Sequence, residues 1–417
     1  MSERRAIEVW ADWRGLLGAK QLGTLCATPS RGKEIFSFEY DSAWLEAGLH
    51  TELDPELRLH RGPQYSAPGR SNFGLFLDSS PDRWGRVLMR RREALLARIE
   101  GRVERRLVES DYLLGVHDGH RMGALRFRTS DPFLDDNDEL ASPPWTSLPE
   151  LEHASLQLEQ EDAEQQSAYS TWLRMLIAPG GSLGGARPKA SVTDEQGALW
   201  IAKFPSRQDE EDVGAWEAVA HELAVRAGVQ VPKARVEHFG SKHHTYLSRR
   251  FDRNEGQRVH FASAMTLLER ADGDGFEEGA SYLELAAFLT RFGAQTSADL
   301  KQLWRRIAFS ICISNTDDHL RNHGFLLGRE GWTLAPAYDV NPEPYGEGLT
   351  LNISETDNAQ DLDLLLEVAP HFRVQPKRAA QIIDEVRAAV LEWKVVATQH
   401  DLSAAAQHRM ARAFRLA

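Results

Sequence analysis

Asn315-Thr-Asp317-Asp-His319-Leu-Arg-Asn322, followed by an apolar run and then Tyr338-Asp339-Val340, sets out in chain order the acidic groups of a phosphoryl-transfer site. A metal-dependent kinase needs one carboxylate to accept the proton of the attacking hydroxyl. It also needs an Asn and a second carboxylate to hold Mg²⁺ against the nucleotide phosphates. The D-x-x-x-x-N spacing runs from Asp317 to Asn322. Between Asn322 and Asp339, Gly324-Phe-Leu-Leu327, the polar Gly328-Arg-Glu-Gly331 and Trp332-Thr-Leu-Ala335 predict a hairpin that returns Asp339 beside the loop. Upstream, Leu303, Ile307 and Ile311 recur four apart and predict a buried helix running into the loop. Taken alone, Asp317 and Asn322 also fit ordinary turn chemistry; the later Tyr-Asp-Val and the upstream features below favour the site. His319 has no partner at metal-ligand spacing and reads as a histidine bracing the loop.

Working outward, 417 residues provide for two or three domains, and 42% hydrophobic with 27% charged residues is ordinary for a soluble globular chain. No apolar run approaches the roughly 20 residues of a membrane helix, and Met1-Ser-Glu-Arg-Arg lacks a signal-peptide core, so the expectation is a cytoplasmic protein without membrane contact. Two distant cysteines, Cys26 and Cys312, give neither a disulfide framework nor a zinc site; Cys312 reads as core packing. A net charge of −13 argues against wholesale nucleic-acid binding. One stretch departs from that balance. Nine arginines lie between Arg83 and Arg106, interspersed with Glu93, Glu100 and Glu104, which reads as a solvated helix face, with a nucleic acid or acidic partner as the alternative.

Residues 1–130 combine strand-like runs (Thr24-Leu-Cys-Ala27, Glu34 to Tyr40, Gly123 to Arg128) with the Arg-rich helix. Residues 131–166, with Asp135-Asp-Asn-Asp-Glu139 and Pro143-Pro144, read as an acidic linker with room for one polar helix. Residues 167–255 then read as the nucleotide-binding part and 256–417 as a helical lobe.

Gly180-Gly181-Ser182-Leu-Gly184-Gly185-Ala-Arg-Pro-Lys189 opens the nucleotide-binding part. Its glycines permit close backbone approach and an anion nest, and Lys189 adds a point charge. Pro188 before the lysine excludes a Walker A loop, and a plain flexible turn is an equal reading of the glycines alone. A hairpin follows, with Leu199, Ile201 and Lys203 on one face, and a lysine ending such a face is either snorkelling or meeting an anion. Val213, Trp216, Ala220, Leu223 and Ala227 then form a helical stripe that stops at Gly228; Glu217 on that helix is placed to pair with Lys203, or is a solvated glutamate. The strand-like Thr245 to Phe251, including Arg249, stands where a kinase links its lobes and offers backbone groups to adenine.

These residues resemble the HipA toxin kinases, bacterial serine/threonine kinases of toxin–antitoxin pairs, over nearly the whole chain. The resemblance rests on Asp78-Ser-Ser-Pro-Asp82-Arg-Trp84-Gly85, Gly123 to Phe127, the Ser182-x-x-Gly185-x-x-x-Lys189 loop, Lys203, Phe251-Asp-Arg253, the Asn315 to Asn322 loop and Tyr338-Asp339-Val340. It implies an α+β, two-lobed, phosphatidylinositol-kinase-like fold with a β-rich N-terminal subdomain and an all-helical C-terminal lobe, binding ATP between the lobes. It implies Asp317 as catalytic aspartate, with Asn322 assisting, and Mg²⁺ on Asn322 and Asp339. Around ATP it places Gly181, Ser182, Gly184, Gly185, Lys189, Lys203, Glu217, Arg249 and Phe251. It further implies autophosphorylation of Ser182, an aminoacyl-tRNA synthetase as target, and a helix-turn-helix antitoxin that makes most of the DNA contact. Arg187-Pro188 and Arg249 depart from the family's usual residues; a side-chain contact to adenine from Glu at the second position would be absent. A small-molecule or lipid kinase of the same fold, and a nucleotide-free scaffold using the Arg83 to Arg106 stretch, are the alternatives.

Overall fold

Ile7, Val9 and Ala11 are buried while the residues between them are not, the period-two signature of a strand with one face on a core. A computed structural model describes residues 4–48, 52–130, 133–134, 143–177, 185 and 187–417. In it the Arg5–Ala11 strand pairs antiparallel with Lys20–Ser30 on one side and Leu125–Arg128 on the other. Lys33–Tyr40 and the short Gln64–Tyr65 complete a five-stranded sheet. The runs expected as strands before residue 130 are strands, and Phe36, Phe38, Phe76 and Phe127 fill the core beneath them.

The chain divides into two compact units, one of Met1–Arg207 with Asp252–Ala262 and one of Gln208–Phe251 with Ser263–Ala417. The return of residues 252–262 to the first unit has a specific cause. Asp252, fully buried, accepts the Gly123 N–H at 2.8 Å, and Arg253 donates to the carbonyls of Gly123 and Arg121 at 3.0 and 2.9 Å. Gly123 has φ +75°, and a Cβ there would stand 3.1 Å from the Phe261 nitrogen, so only glycine fits. Two motifs that the sequence offers separately, Gly123 to Phe127 and Phe251-Asp-Arg253, thus meet through Asp252 and Arg253.

The Arg-rich stretch forms the helix Arg83–Glu100, capped by Asp82, whose carboxylate accepts the Gly85 N–H at 2.8 Å. Several arginines of the stretch pair within the unit. Arg86 forks onto Glu109 at 2.8 and 2.7 Å, Arg98 meets Glu164 at 3.1 Å, and Arg102 and Arg105 both reach Glu93. Part of the expected linker is also ordered, since the helix Leu148–Leu158 buries Leu148, Leu151, Ala154 and Leu158. The Asp135 to Glu139 run lies outside the described residues.

In the second unit the stripe from Val213 becomes the buried helix Val213–Arg226, N-capped by Asp212 and followed by Gly228 at φ +72°. The expected helix before the loop is Thr296–Cys312, and Leu303, Trp304, Ile307 and Ile311 on it are fully buried. Helices Tyr282–Phe292, Pro376–Val390, Trp393–Gln399 and Ala404–Met410 complete the helical part. This part is not all-helical. The strands Gly324–Gly328 and Gly331–Leu334 form the predicted hairpin, joined at Gly328 and Gly331. Gly331 takes φ +136°, which supplies the turn that a side chain would obstruct. Among the described residues no helix is long and apolar enough to cross a membrane.

Candidate active site

The loop begins where the Thr296–Cys312 helix stops, and Ser314, at φ +51°, makes the sharp exit. From there the backbone folds on itself: the His319 N–H donates to the Asp317 carbonyl at 2.9 Å, and the Asn322 N–H to that of His319 at 2.8 Å. The Asn322 side-chain amide nitrogen also donates to the Asp317 carbonyl, at 2.9 Å. The two ends of the D-x-x-x-x-N spacing are therefore joined. Asp317 itself is exposed, whereas Asn322 is buried.

The adjacent acid behaves differently. Asp318 is buried, accepts the Tyr282 hydroxyl at 2.7 Å and the Ser310 hydroxyl at 3.3 Å, and lies 3.0 Å from His323 Nε2. Burial alone would raise its pKa, but the neighbouring His323 and the Tyr282 hydroxyl outweigh that and hold it below the usual carboxylate range. Tyr282, buried against that carboxylate, is pushed far up.

Asp339 comes back to this loop as the hairpin predicts. Tyr338 donates its hydroxyl to the Arg321 carbonyl at 2.7 Å, so the residue before Asp339 is tied to the residue before Asn322. Asp339 has φ +57°, in the left-handed region that few non-glycine residues occupy. Glu217 is buried on its helix, and the Tyr246 hydroxyl is raised first by burial and then by the charges of Glu217 and Asp339, which places both acids near one phenol. Phe251 packs on Tyr338, ring centroids 5.5 Å apart, and Arg249 ends the Thr245–Arg249 strand, half-buried.

The lysines belong to the first unit. Lys189 and Lys203 stand directly opposite each other in the hairpin of Lys189–Thr193 and Leu199–Lys203. Two facing ammonium groups would repel. Lys189 is instead held by an acid of the N-terminal motif: its Nζ lies 3.1 Å from Asp82 Oδ2, with both side chains buried. Trp84 Nε1 donates to the Lys189 carbonyl at 3.2 Å. Pro81-Asp-Arg-Trp84 thus grips the strand opposite Lys203, and Gly185 faces the Lys189 ammonium. Gly181, Ser182 and Gly184 lie outside the described residues.

Residues 181–393, just over half of the chain, match the family described as HipA-like C-terminal domain. The chain belongs to that family. Two relatives are 29% identical over 219 residues and 28% identical over 188 residues; the first carries the name "Putative kinase Y4dM", from Sinorhizobium fredii, and the second the same designation without a suffix, from Haemophilus influenzae. The matches cover 48% and 40% of this chain, and the chain spans about half the length of these relatives, 52% and 54%. Among solved structures, the HipA of Shewanella oneidensis, determined with HipB and operator DNA, aligns over 98% of this chain and 96% of its own at TM-score 0.67 and 17% identity, which shows a shared fold.

Within this HipA-like chain the donor set suits a hard cation. Mg²⁺ takes oxygen ligands and usually keeps one or two protein side chains plus water and phosphate oxygens. The Asn322 amide nitrogen is committed to the Asp317 carbonyl, which leaves its oxygen as the atom to face a cation, and Asp339 offers a carboxylate. Sequence reading missed Asp318, Asn315, Tyr282 and Asp82 as supporting residues. Asp318 carries a visible signal, a second acid beside the first, and Asp82 stands in the Asp78 to Gly85 motif, although its pairing with a lysine 107 residues away has no local sign; Tyr282, 36 residues from its partner, carries none.

Proposed function

We propose that this chain is an ATP- and Mg²⁺-dependent serine/threonine protein kinase that acts as the toxin of a toxin–antitoxin pair. The observation that carries the reading is the tie of Tyr338 to the Arg321 carbonyl together with that of Asn322 to Asp317, which gathers the base candidate and both metal-ligand candidates around one loop. Asp317, the exposed acid, accepts the proton of the substrate hydroxyl and aligns it for attack. Asn322 and Asp339 hold Mg²⁺, which offsets charge on the transferring phosphoryl group. Lys203 neutralises the α- and β-phosphates; Gly181, Gly184 and Gly185 cradle phosphates through their N–H groups. Lys189, paired with Asp82, fixes the end of that loop, and Arg249 and Phe251 flank the adenine through backbone and ring.

Relatives named as kinases support phosphoryl transfer from ATP, and the fold shared with a HipA solved with HipB and DNA supports a helix-turn-helix antitoxin as partner. The protein substrate in this reading is a translation component such as an aminoacyl-tRNA synthetase. Ser182 is the self-phosphorylation site: about −1.5 to −2 charges there would repel the nucleotide's own phosphates. Intact-mass measurement after incubation with ATP and Mg²⁺ tests the reading. Wild type should gain a phosphate mapping to Ser182, and Asp317→Ala should gain none. Equal incorporation by the two would overturn Asp317 as the base, and no phosphorylation of any protein by wild type would overturn the kinase reading.

A further inference from the structure

Two segments must keep a fixed separation for the chemistry proposed above: the loop bearing Asp317 and Asn322, and the segment bearing Asp339. A buried chain of polar groups runs from one to the other. It starts at Asp318, which is held by the Tyr282 and Ser310 hydroxyls at 2.7 and 3.3 Å. Ser310 in turn accepts the Asn315 amide nitrogen at 3.3 Å. The Asn315 oxygen accepts the Asn341 backbone N–H at 3.3 Å, two residues beyond Asp339. A parallel strut runs through the backbone, where the Glu343 N–H donates to the Ser314 carbonyl at 3.1 Å. Asn315, Asp318, Ser310 and Tyr282 are all buried, at 1%, 5%, 4% and 0% exposure, so water cannot substitute for a lost partner at low cost.

The two backbone positions that this chain spans are both unusual. Ser314 and Asp339 have φ of +51° and +57°. Such conformations persist when the surroundings over-determine them. Asn315 follows the first directly and bonds two residues past the second, so it bridges both bends.

We propose that Asn315 and Asp318 are positioning residues: acting through Ser310 and the Asn341 backbone, they set the spacing between Asn322 and Asp339 and so the affinity of the site for its divalent cation. This rests on the kinase reading above for the identity of the two ligands. Neither residue is assigned contact with substrate. The role differs from plain structural support, because it predicts a defect in metal binding that is out of proportion to any loss of folding.

The experiment compares wild type, Asn315→Ala and Tyr282→Phe. The second variant removes one hydroxyl from Asp318 while keeping the ring, and decides the matter if the first fails to fold. Mn²⁺ binding in the presence of a non-hydrolysable ATP analogue is followed by electron paramagnetic resonance, alongside the Mg²⁺ concentration for half-maximal phosphoryl transfer and KM for ATP. Loss of a group that orients a metal ligand typically costs 10–100-fold in metal affinity, so Asn315→Ala should weaken Mn²⁺ by about 10-fold and Tyr282→Phe by a smaller factor in the same direction. KM for ATP measured at saturating Mg²⁺ should stay within a factor of about two. Folded variants with wild-type Mn²⁺ affinity and Mg²⁺ requirement overturn the inference while an active wild type leaves the kinase reading standing. A wild type that binds Mn²⁺ but transfers no phosphate overturns the kinase reading alone, since the Mn²⁺ comparison still decides the positioning role; a wild type that binds no Mn²⁺ with the analogue overturns both.

Discussion

Asp118 and Asp317 both sit in short loops that lead into a strand, and the structure treats them in opposite ways. Asp118 is fully buried: one oxygen takes the Arg121 Nε at 2.7 Å and the other the Phe127 N–H at 3.0 Å. Arg121, equally buried, spends its remaining donors on the carbonyls of Ser79, Leu113 and Val116. Asp317 is exposed, and the burden of bracing falls on its neighbour Asp318. An acid whose two oxygens are both committed inside the core is bound to the fold. One kept at the surface by a braced twin can change partners, which chemistry demands.

Asp317→Ala should lower phosphoryl transfer by roughly 10²–10⁴-fold. Its thermal midpoint should stay close to that of wild type, because the side chain removed is exposed. Arg121→Ala should do the reverse. Removing one member of a fully buried pair leaves an uncompensated carboxylate and costs about 3–5 kcal/mol, read as a lower denaturation midpoint of the first unit with catalysis per folded molecule retained. A large stability loss in Asp317→Ala, or a silent Arg121→Ala, would erase the distinction.

Much of this contrast was legible beforehand. The four-residue spacing of Leu303, Ile307 and Ile311 and the Gly328 to Gly331 turn are local signals, and they gave the helix and hairpin that present Asp317, Asn322 and Asp339. What escaped was long-range pairing. The pairing of the buried Lys189 ammonium with Asp82, 107 residues away, has no sign in the loop that Lys189 ends. The Arg83 to Arg106 stretch read as a solvated face, and its partners Glu109 and Glu164 lie beyond the helix. No periodicity encodes such contacts; they follow from how the elements pack. The helix Leu148–Leu158 falls where the linker leaves room for one polar helix, but its buried face was not legible, since its acidic flanks outweigh a four-residue apolar stripe in composition.

A third test sharpens the contrast within the first unit. Asp54 is buried like Asp118, but among the described residues no arginine pairs with it; it accepts the Leu75 and Glu56 N–H groups, at 2.8 and 2.9 Å, and burial raises its pKa from 3.8 to about 7. The folded state therefore keeps the proton where the unfolded state has released it. Stability from this group is fully present below pH 3.8 and is lost as pH rises toward 7, at about 1.4 kcal/mol per pH unit. Chemical denaturation at several pH values should show this slope in wild type and its absence in Asp54→Asn. An identical pH dependence in the two proteins would mean that Asp54 stays ionised when folded.

The smallest expected effect concerns the backbone under Asp339. At φ +57° a residue with a Cβ is strained by roughly 1–2 kcal/mol, less for Asp and Asn, whose short polar side chains tolerate this region. Glycine carries no such strain, although it costs more chain entropy on folding, roughly 0.5–1 kcal/mol relative to alanine. The two terms oppose each other, and the strain term is the larger. Asp339→Gly should therefore be more stable than Asp339→Ala, by up to about 1 kcal/mol, the reverse of the usual order at an ordinary position. Asp339→Asn should be close to wild type in stability. All three should lose transfer, since none keeps the carboxylate that the proposed metal site requires. Thermal unfolding of the three variants reads the order directly, and alanine matching or exceeding glycine would show that this aspartate is not held in a strained conformation for the sake of its carboxylate.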